Sequence, residues 1–139
     1  MASPSEKLAQ SLSVLKNMQD DGQIAIPSSD MTRTHRERLL KNGFIQKVMK
    51  GWYIPSRPDE RVGESTAWYA SFWRFCAQYL TERFGEDWSL SPEQSLMLHA
   101  GDTTVPRQVL VRAKKAGNKN TDFPHNTSIF QSRTTIADG

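Results

Sequence analysis

The chain has 139 residues, of which 37% are hydrophobic and 24% are charged, and its formal net charge is +3. This length holds one ordinary domain or two very small ones, and the composition excludes a disordered tail or a fibre. With Cys76 as the single cysteine, an intramolecular disulfide and a cysteine-based metal cluster are excluded. The sequence shows neither the apolar core of a signal peptide nor an apolar run long enough to span a bilayer, so a soluble cytoplasmic protein without a membrane partner is expected.

The positive charge is concentrated along the sequence. Residues 33–57 carry seven positive side chains against the single carboxylate of Glu37, a net charge of +6. Residues 61–95 carry three positive side chains against five negative ones, a net charge of −2. A polyanion is therefore expected to contact the first segment and not the second.

The first predicted element is an amphipathic helix that begins at Pro4. Ser3 is suited to cap its start, and Gly22 is suited to end it. Apolar residues recur along it at helical spacing: Leu8, Leu12, Leu15, Met18. This stripe predicts that one side of the helix packs on a neighbouring element.

A short strand at residues 24–26 and one helical turn around Asp30 come next, and a second helix, RTHRERLLKN, follows its capping residue Thr32 and ends at Gly43. The pattern then changes to a hairpin, FIQKV and WYI joined by a tight turn at Gly51. Helix, short strand, turn, helix and hairpin are the element order of a winged helix-turn-helix, which we predict for residues 4–55.

The remainder of the chain predicts a small α+β extension over residues 65–133. Residues 55–64 are rich in proline and charge and indicate a linker. An aromatic amphipathic helix is predicted over residues 65–84, a brief strand over 88–90, and a helix from residue 91 to Gly101. Strands at 109–111 and 128–130 are expected around a polar loop, KKAGNKNTDFPHN. The fold class is thus α+β, a winged helix-turn-helix followed by this extension.

The second helix is the candidate DNA reader. A helical wheel places Leu39 and Leu40 on one side, with Arg36 judged structural, and puts the candidate contacts on the other: Arg33, Thr34, Glu37, Arg38, Lys41. Arginine pairs with phosphates and, bidentately, with guanine, so Arg33 and Arg38 are the favoured readers.

The remaining candidate contacts have supporting roles. Glu37 can accept from cytosine, and Thr32 and Thr34 can bond phosphate at the helix start. Lys47 and Lys50 flank the hairpin tip, where a wing meets the sugar-phosphate backbone, and they are expected to position the protein and not to specify sequence.

No enzyme class, cofactor or metal emerges from the residues. The three histidines are far apart in sequence and lack acidic partners at ligand spacing, and Cys76 is expected to be a buried thiol. The segment KKAGNKN indicates a basic turn and not a glycine-rich phosphate loop. Trp52 and Tyr53 are able to stack on bases, but structural roles are favoured for both.

Two segments resemble a known family. The run RTHRERLLKNGFIQKVMKGWYIP resembles the N-terminal winged-helix segment of AbiEi-type antitoxins, and LSPEQSLMLHAGDTTVPRQVLVRAKKAG resembles that family's next block. The resemblance implies a bacterial transcriptional regulator of a type IV toxin-antitoxin system that binds the double-stranded operator of its own operon. It also implies an antitoxin activity in a larger C-terminal domain.

An alternative function belongs to a different class. The same N-terminal sequence is similar to leaders found ahead of Fic-type AMP-transferase domains, although the motif HPFxxGNGR has no counterpart in this sequence. The chain would then be an interaction or regulatory module that holds a cognate toxin or a Fic-type domain through residues 65–84 and the C-terminal strands.

Overall fold

The computed structural model describes residues 3–60 and 64–133, and these form a mixed α+β protein with four α-helices and two sheets. The N-terminal elements are α1 (Pro4–Asp20), β1 (Ile26–Pro27), a single 3-10 turn (Ser28–Asp30), α2 (Arg33–Lys41), β2 (Ile45–Met49) and β3 (Trp52–Pro55). They are followed by α3 (Thr66–Phe84), β4 (Trp88–Leu90), α4 (Pro92–His99), β5 (Gln108–Ala113), β6 (Lys119–Phe123) and β7 (Thr127–Arg133).

The chain divides into two compact units, Met1–Phe75 and Cys76–Gly139. The division falls within α3 and not in the predicted linker, of which residues 61–63 lie outside the described part. The first unit therefore continues beyond residue 55, into the first half of α3.

Local sequence sets the ends of α1. The Ser3 hydroxyl accepts from the backbone N–H of Glu6 at 3.2 Å, as a capping serine does. At the other end Gly22 has φ +78°, and the N–H of Gln23 donates to the Met18 carbonyl at 2.9 Å, which completes a Schellman motif. The predicted start and end of this helix are confirmed.

The first sheet has strand order β1-β3-β2, with both pairings antiparallel. Lys47 lies opposite Tyr53 and Met49 opposite Trp52, so Val48 forms a bulge that leaves it buried. The predicted hairpin is confirmed, and β1 adds a third strand to it.

The core of the first unit lies between the two helices and this sheet. Its buried members are one residue from each of the two helices and three strands, and Met31, which follows the 3-10 turn: Leu15, Ile26, Met31, Leu39, Ile45, Tyr53. Five half-buried residues pack around them: Leu12, Val14, Met18, Leu40, Phe44. The apolar stripe of α1 thus finds the partner that its pattern predicts.

Three aromatic side chains in the first half of α3 are buried, whereas Tyr69 is 44% exposed. Trp68, Phe72 and Phe75 are fully buried, and Trp68 packs edge-to-face on both phenylalanines with ring centroids 5.4 Å apart. Phe75 also packs edge-to-face on Trp52 of β3, with the two ring centroids 6.0 Å apart. The prediction that this aromatic face is core is confirmed for Trp68, Phe72 and Phe75.

The second sheet has order β4-β5-β7-β6, in which β5 and β7 are parallel and the other pairs are antiparallel. Burial alternates along β5, with Val109, Val111 and Ala113 inward. The prediction of a polar loop over residues 114–126 is wrong in part, because Lys119–Phe123 within it form β6. Its sequence KNTDF lacks a strong strand pattern, and it forms a strand because its backbone pairs with β7.

The core of the second unit combines this sheet with the end of α3. Tyr79 meets Phe123 edge-to-face at 6.1 Å, and Leu80, Val109 and Ile129 are fully buried. Gln131, 1% exposed, satisfies its amide by donating to Thr121 Oγ1 at 3.0 Å.

Candidate nucleic-acid interface

The ends of α2 are built as the sequence predicts. The Thr32 hydroxyl accepts from the backbone N–H of His35 at 3.3 Å, so Thr32 is the N-cap. Gly43 has φ +79°, and the N–H of Phe44 donates to the Leu39 carbonyl at 2.9 Å in a second Schellman motif. These caps fix the length of the predicted reader helix to less than three turns.

The inward side of α2 anchors the helix. Leu39 is fully buried in the core, and Arg36 Nη1 donates to the Ser28 carbonyl at 3.0 Å. The structural role predicted for Arg36 is confirmed by this bond, because it ties α2 to the 3-10 turn before it.

Arg38 is only partly exposed on the face where the helical wheel puts it. The residue is half-buried, and its guanidinium lies against α1, where Nη1 donates to the Lys7 carbonyl at 3.1 Å and to the Ser11 hydroxyl at 3.0 Å. A wheel considers α2 alone, whereas the long arginine side chain reaches back to the neighbouring helix. The expectation of an outward-facing Arg38 is corrected to a residue that joins α1 to α2.

Ser11 is a site residue that the sequence analysis missed. It is 0% exposed, and its hydroxyl lies 2.7 Å from His35 Nδ1 as well as 3.0 Å from Arg38. The signal was present in the sequence, because position 11 falls at helical spacing between Leu8 and Leu15 on the inward stripe. A buried polar residue on that stripe requires partners on the facing helix.

The outward side of α2 carries an ion pair. Arg33 Nε lies 2.7 Å from Glu37 Oε1, and the two side chains are 81% and 60% exposed. The hydrogen bond and the positive charge of Arg33 hold the pKa of the Glu37 carboxyl below its usual range. At neutral pH the carboxylate is therefore ionised and pairs with the arginine.

An open groove of about 660 Å³ runs between the start of α1 and the outward side of α2. Its lining residues are Pro4, Ser5, Lys7, Leu8, Thr34, Glu37, Arg38, Lys41 and Asn42. Four of the predicted contacts, Thr34, Glu37, Arg38 and Lys41, are thus brought together on one concave surface, and Lys7 adds a cation from α1.

The remaining predicted cations lie on the hairpin. Lys47 in β2 and Lys50 in the turn are both exposed. Gly51 closes the turn with φ +85°, and its carbonyl accepts from the N–H of Ser28 at 2.8 Å. The hairpin tip is therefore tied to the 3-10 turn that leads into α2.

The two aromatic residues of β3 have structural positions. Tyr53 belongs to the buried core cluster, and Trp52 is half-buried with its ring against Phe75. The structural roles favoured for this pair are confirmed.

Other chemistry-bearing groups are few in residues 3–60 and 64–133. Within them no three His, Cys, Asp or Glu side chains lie close enough to hold a metal ion, and no helix is long and apolar enough to cross a membrane. Cys76 is buried, which raises the pKa of its thiol.

Comparison with known proteins gives no match for this chain, whether with protein-family models, with curated proteins or with solved structures.

Proposed function

We propose that this protein is a DNA-binding transcriptional regulator whose residues 4–55 act as a winged helix-turn-helix. The observation that carries the proposal is the strand order β1-β3-β2 placed after α1, a short helical turn and α2. This is the connectivity in which a winged helix presents its last helix to the major groove and its hairpin to the flanking backbone. The 3-10 turn takes the place of the first helix of the helix-turn-helix pair.

Side-chain chemistry supports the same use of α2. Arg33 and Glu37 are exposed on the outward side of α2, Arg33 at its first residue and Glu37 about one turn later, and residues in this part of a recognition helix contact base edges. Arg33 is the proposed guanine reader, and Glu37 the proposed partner of cytosine. Thr32 and Thr34 lie where backbone phosphates meet a helix start.

The lysines supply affinity without base discrimination. Lys41 lines the groove beside α2, and Lys47 and Lys50 project from the hairpin. Each phosphate that such a cation neutralises releases a counterion, which raises affinity and makes binding fall with salt. Arg38, held by α1, acts as a positioning residue that sets the angle of α2.

The biological setting follows the resemblance to AbiEi-type antitoxins. We propose that the DNA is the operator of the protein's own toxin-antitoxin operon. The test uses fluorescence anisotropy with the duplex upstream of the gene and a shuffled duplex, at about 50 mM and 200 mM salt. Tight binding that weakens steeply with salt supports the proposal, and undetectable binding at the lower salt rules it out.

Variants separate the two classes of contact. Arg33→Ala is expected to lose discrimination between the upstream and shuffled duplexes, whereas Lys50→Ala weakens binding to both about equally. Lys16→Ala, an exposed lysine on α1 outside the proposed surface, is the matched control. Equal losses in all three variants contradict the assignment of reader and wing.

A protein-interaction function is the second candidate, and one observation favours it. None of the residues of α4 is buried, and Leu96 and Met97 on it are 71% and 48% exposed. An exposed apolar pair on a helix is a common feature of partner surfaces. On this reading the partner is the cognate toxin or a Fic-type domain. Co-purification of the adjacent gene's product that is lost in Leu96→Asp supports it, and co-purification that is unchanged removes α4 from consideration.

A further inference from the structure

We propose that the second unit carries its own surface for the phosphate backbone of nucleic acid, at the end of the sheet where β5 and β7 finish and β6 begins. Five cationic residues form this strand-end patch: Arg112, Lys114, Lys115, Lys119, Arg133. The inference goes beyond the proposed function, because none of these residues belongs to the winged-helix segment.

Charge along the chain first points to this surface. Residues 107–133 carry six positive side chains against one carboxylate, Asp122, a net charge of +5. Together with the +6 of residues 33–57 this gives +11, while the whole chain has +3, so the rest of the chain carries −8. Net positive charge is thus concentrated in two segments, and the second is nearly as biased as the first.

Strand register gathers these cations at one end of the sheet. Parallel pairing places Ala113 beside Arg133, so Lys114 and Lys115 leave β5 at the level where β7 finishes. On the other side of β7, Lys119 opens β6 opposite Gln131. Neighbouring strands are about 4.8 Å apart, so the backbones of β5 and β6 lie about 10 Å apart on either side of β7, roughly one Debye length at 0.1 M salt.

Hydrogen bonds hold this end of the sheet in place. Arg133 Nε donates to the Lys114 carbonyl, and its backbone N–H donates to Asn118 Oδ1, both at 3.3 Å. Asp87 is the carboxylate beside the patch, and its Oδ2 accepts from the backbone N–H of Lys114 at 3.1 Å. All five cationic residues of the patch are exposed.

The neighbours of the cations favour nucleic acid over a lipid surface. Asn118 lies among them in the turn before β6, where its Oδ1 accepts from Arg133, and its amide Nδ2 is a donor of the kind that hydrogen-bonds to phosphate and sugar oxygens. Membrane-surface segments instead set a broad face of Trp, Phe or Leu beside their cations, whereas Leu110, 43% exposed, is the single exposed large hydrophobic side chain within residues 107–133. The phosphodiester backbone is therefore the ligand that we assign to the patch.

The test measures the salt dependence of duplex DNA binding by the full chain. Lys115→Gln and Lys119→Gln are each expected to lower the slope of log affinity against log salt by about 0.9, the contribution of one neutralised phosphate. Arg107→Gln is the control, because it removes the same charge beside the start of β5, about 13 Å along the strand direction from the level of Lys119 and about 20 Å from the end of β5. An unchanged slope in both lysine variants, or an equal change in the control, overturns the inference.

Two further measurements distinguish the possible failures. Lys50→Gln reports on the first unit: a change in slope there without one in Lys115→Gln and Lys119→Gln overturns this inference and leaves the proposed function standing. The reverse result supports the patch and contradicts the winged-helix contact. Sedimentation with phosphatidylserine vesicles tests whether the patch binds a lipid surface instead. If Lys115→Gln and Lys119→Gln lose vesicle binding but keep full DNA binding, the assignment of nucleic acid as the ligand is overturned.

Discussion

The hydroxyl of Ser11 in α1 lies 2.7 Å from Nδ1 of His35 in α2, and Ser11 is completely buried. Since Arg38 also donates to this hydroxyl, one side chain of α1 satisfies two polar groups of α2. The relationship sets the position of the proposed reader helix by hydrogen bonds as well as by apolar packing.

We expect Ser11→Ala to destabilise the protein by about 1–3 kcal/mol, because the His35 ring and the Arg38 guanidinium then lose the buried hydroxyl to which they are hydrogen-bonded. Ser13→Ala is the matched control on the exposed side of the same helix, where serine and alanine differ only by a small helix propensity. Urea unfolding measures both. A Ser11→Ala protein as stable as the Ser13→Ala protein contradicts the network.

Two glycines with the same backbone conformation give a second prediction. Gly22 and Gly43 have φ +78° and +79°, but a Cβ on Gly22 meets nothing within 4 Å, whereas one on Gly43 lies 3.0 Å from the Pro58 Cα. Gly22→Ala is expected to cost about 1 kcal/mol for the left-handed conformation alone. Gly43→Ala is expected to cost about 1–3 kcal/mol more, because backbone must move. Equal midpoints in urea for the two variants contradict the close approach to Pro58.

Elements with strong local signals are the ones that the sequence predicts well. Both Schellman ends, at Gly22 and Gly43, follow from a glycine after a helical pattern, and the caps Ser3 and Thr32 follow from their hydroxyls. The hairpin follows from alternation around Gly51. These features depend on a few neighbouring residues, so no knowledge of the tertiary structure is required.

Features that depend on distant residues could not be predicted in this way. Arg38 faces α1 because Lys7 and Ser11 offer acceptors there, and these lie 31 and 27 positions away. β6 is a strand because β7 pairs with it and not because of its own composition. The cationic strand-end patch likewise depends on the parallel register of β5 and β7.

A third prediction concerns the turn between β6 and β7. His125 and Asn126 have φ of 58° and 60°, the pair of left-handed conformations of a type I′ turn, in which the second position favours glycine. Asn126→Gly is expected to stabilise this hairpin by roughly 0.5–1 kcal/mol, and Asn126→Val to destabilise it, since β-branched residues resist positive φ. Amide hydrogen exchange in β6 and β7 measures the change locally. Slower exchange in the valine variant than in the glycine variant contradicts the turn assignment.

The last prediction concerns the partner of Glu37. Spacing alone favours Lys41, because a glutamate four residues before a lysine is the better orientation on a helix. The structure instead pairs Glu37 with Arg33, and this pairing lowers the pKa of the carboxyl. Because the folded pKa lies below the ordinary value of about 4.3, the pair stabilises α2 above that pH and loses its effect as pH falls through the lowered pKa.

Arg33→Gln is therefore expected to raise the pKa of Glu37 toward the ordinary glutamate value, and Lys41→Gln is expected to leave it lowered. A pH titration of the Glu37 carboxyl by NMR measures both variants, and a larger rise in Lys41→Gln reverses the pairing. If Arg33 reads a guanine, it must leave Glu37 when DNA binds, because one fork of donors cannot serve the carboxylate and the base together. Saturating the wild-type protein with the upstream duplex should then raise the pKa of Glu37 as the variant does, while a carboxyl that titrates as in the free protein shows that Arg33 stays paired and is not the reader.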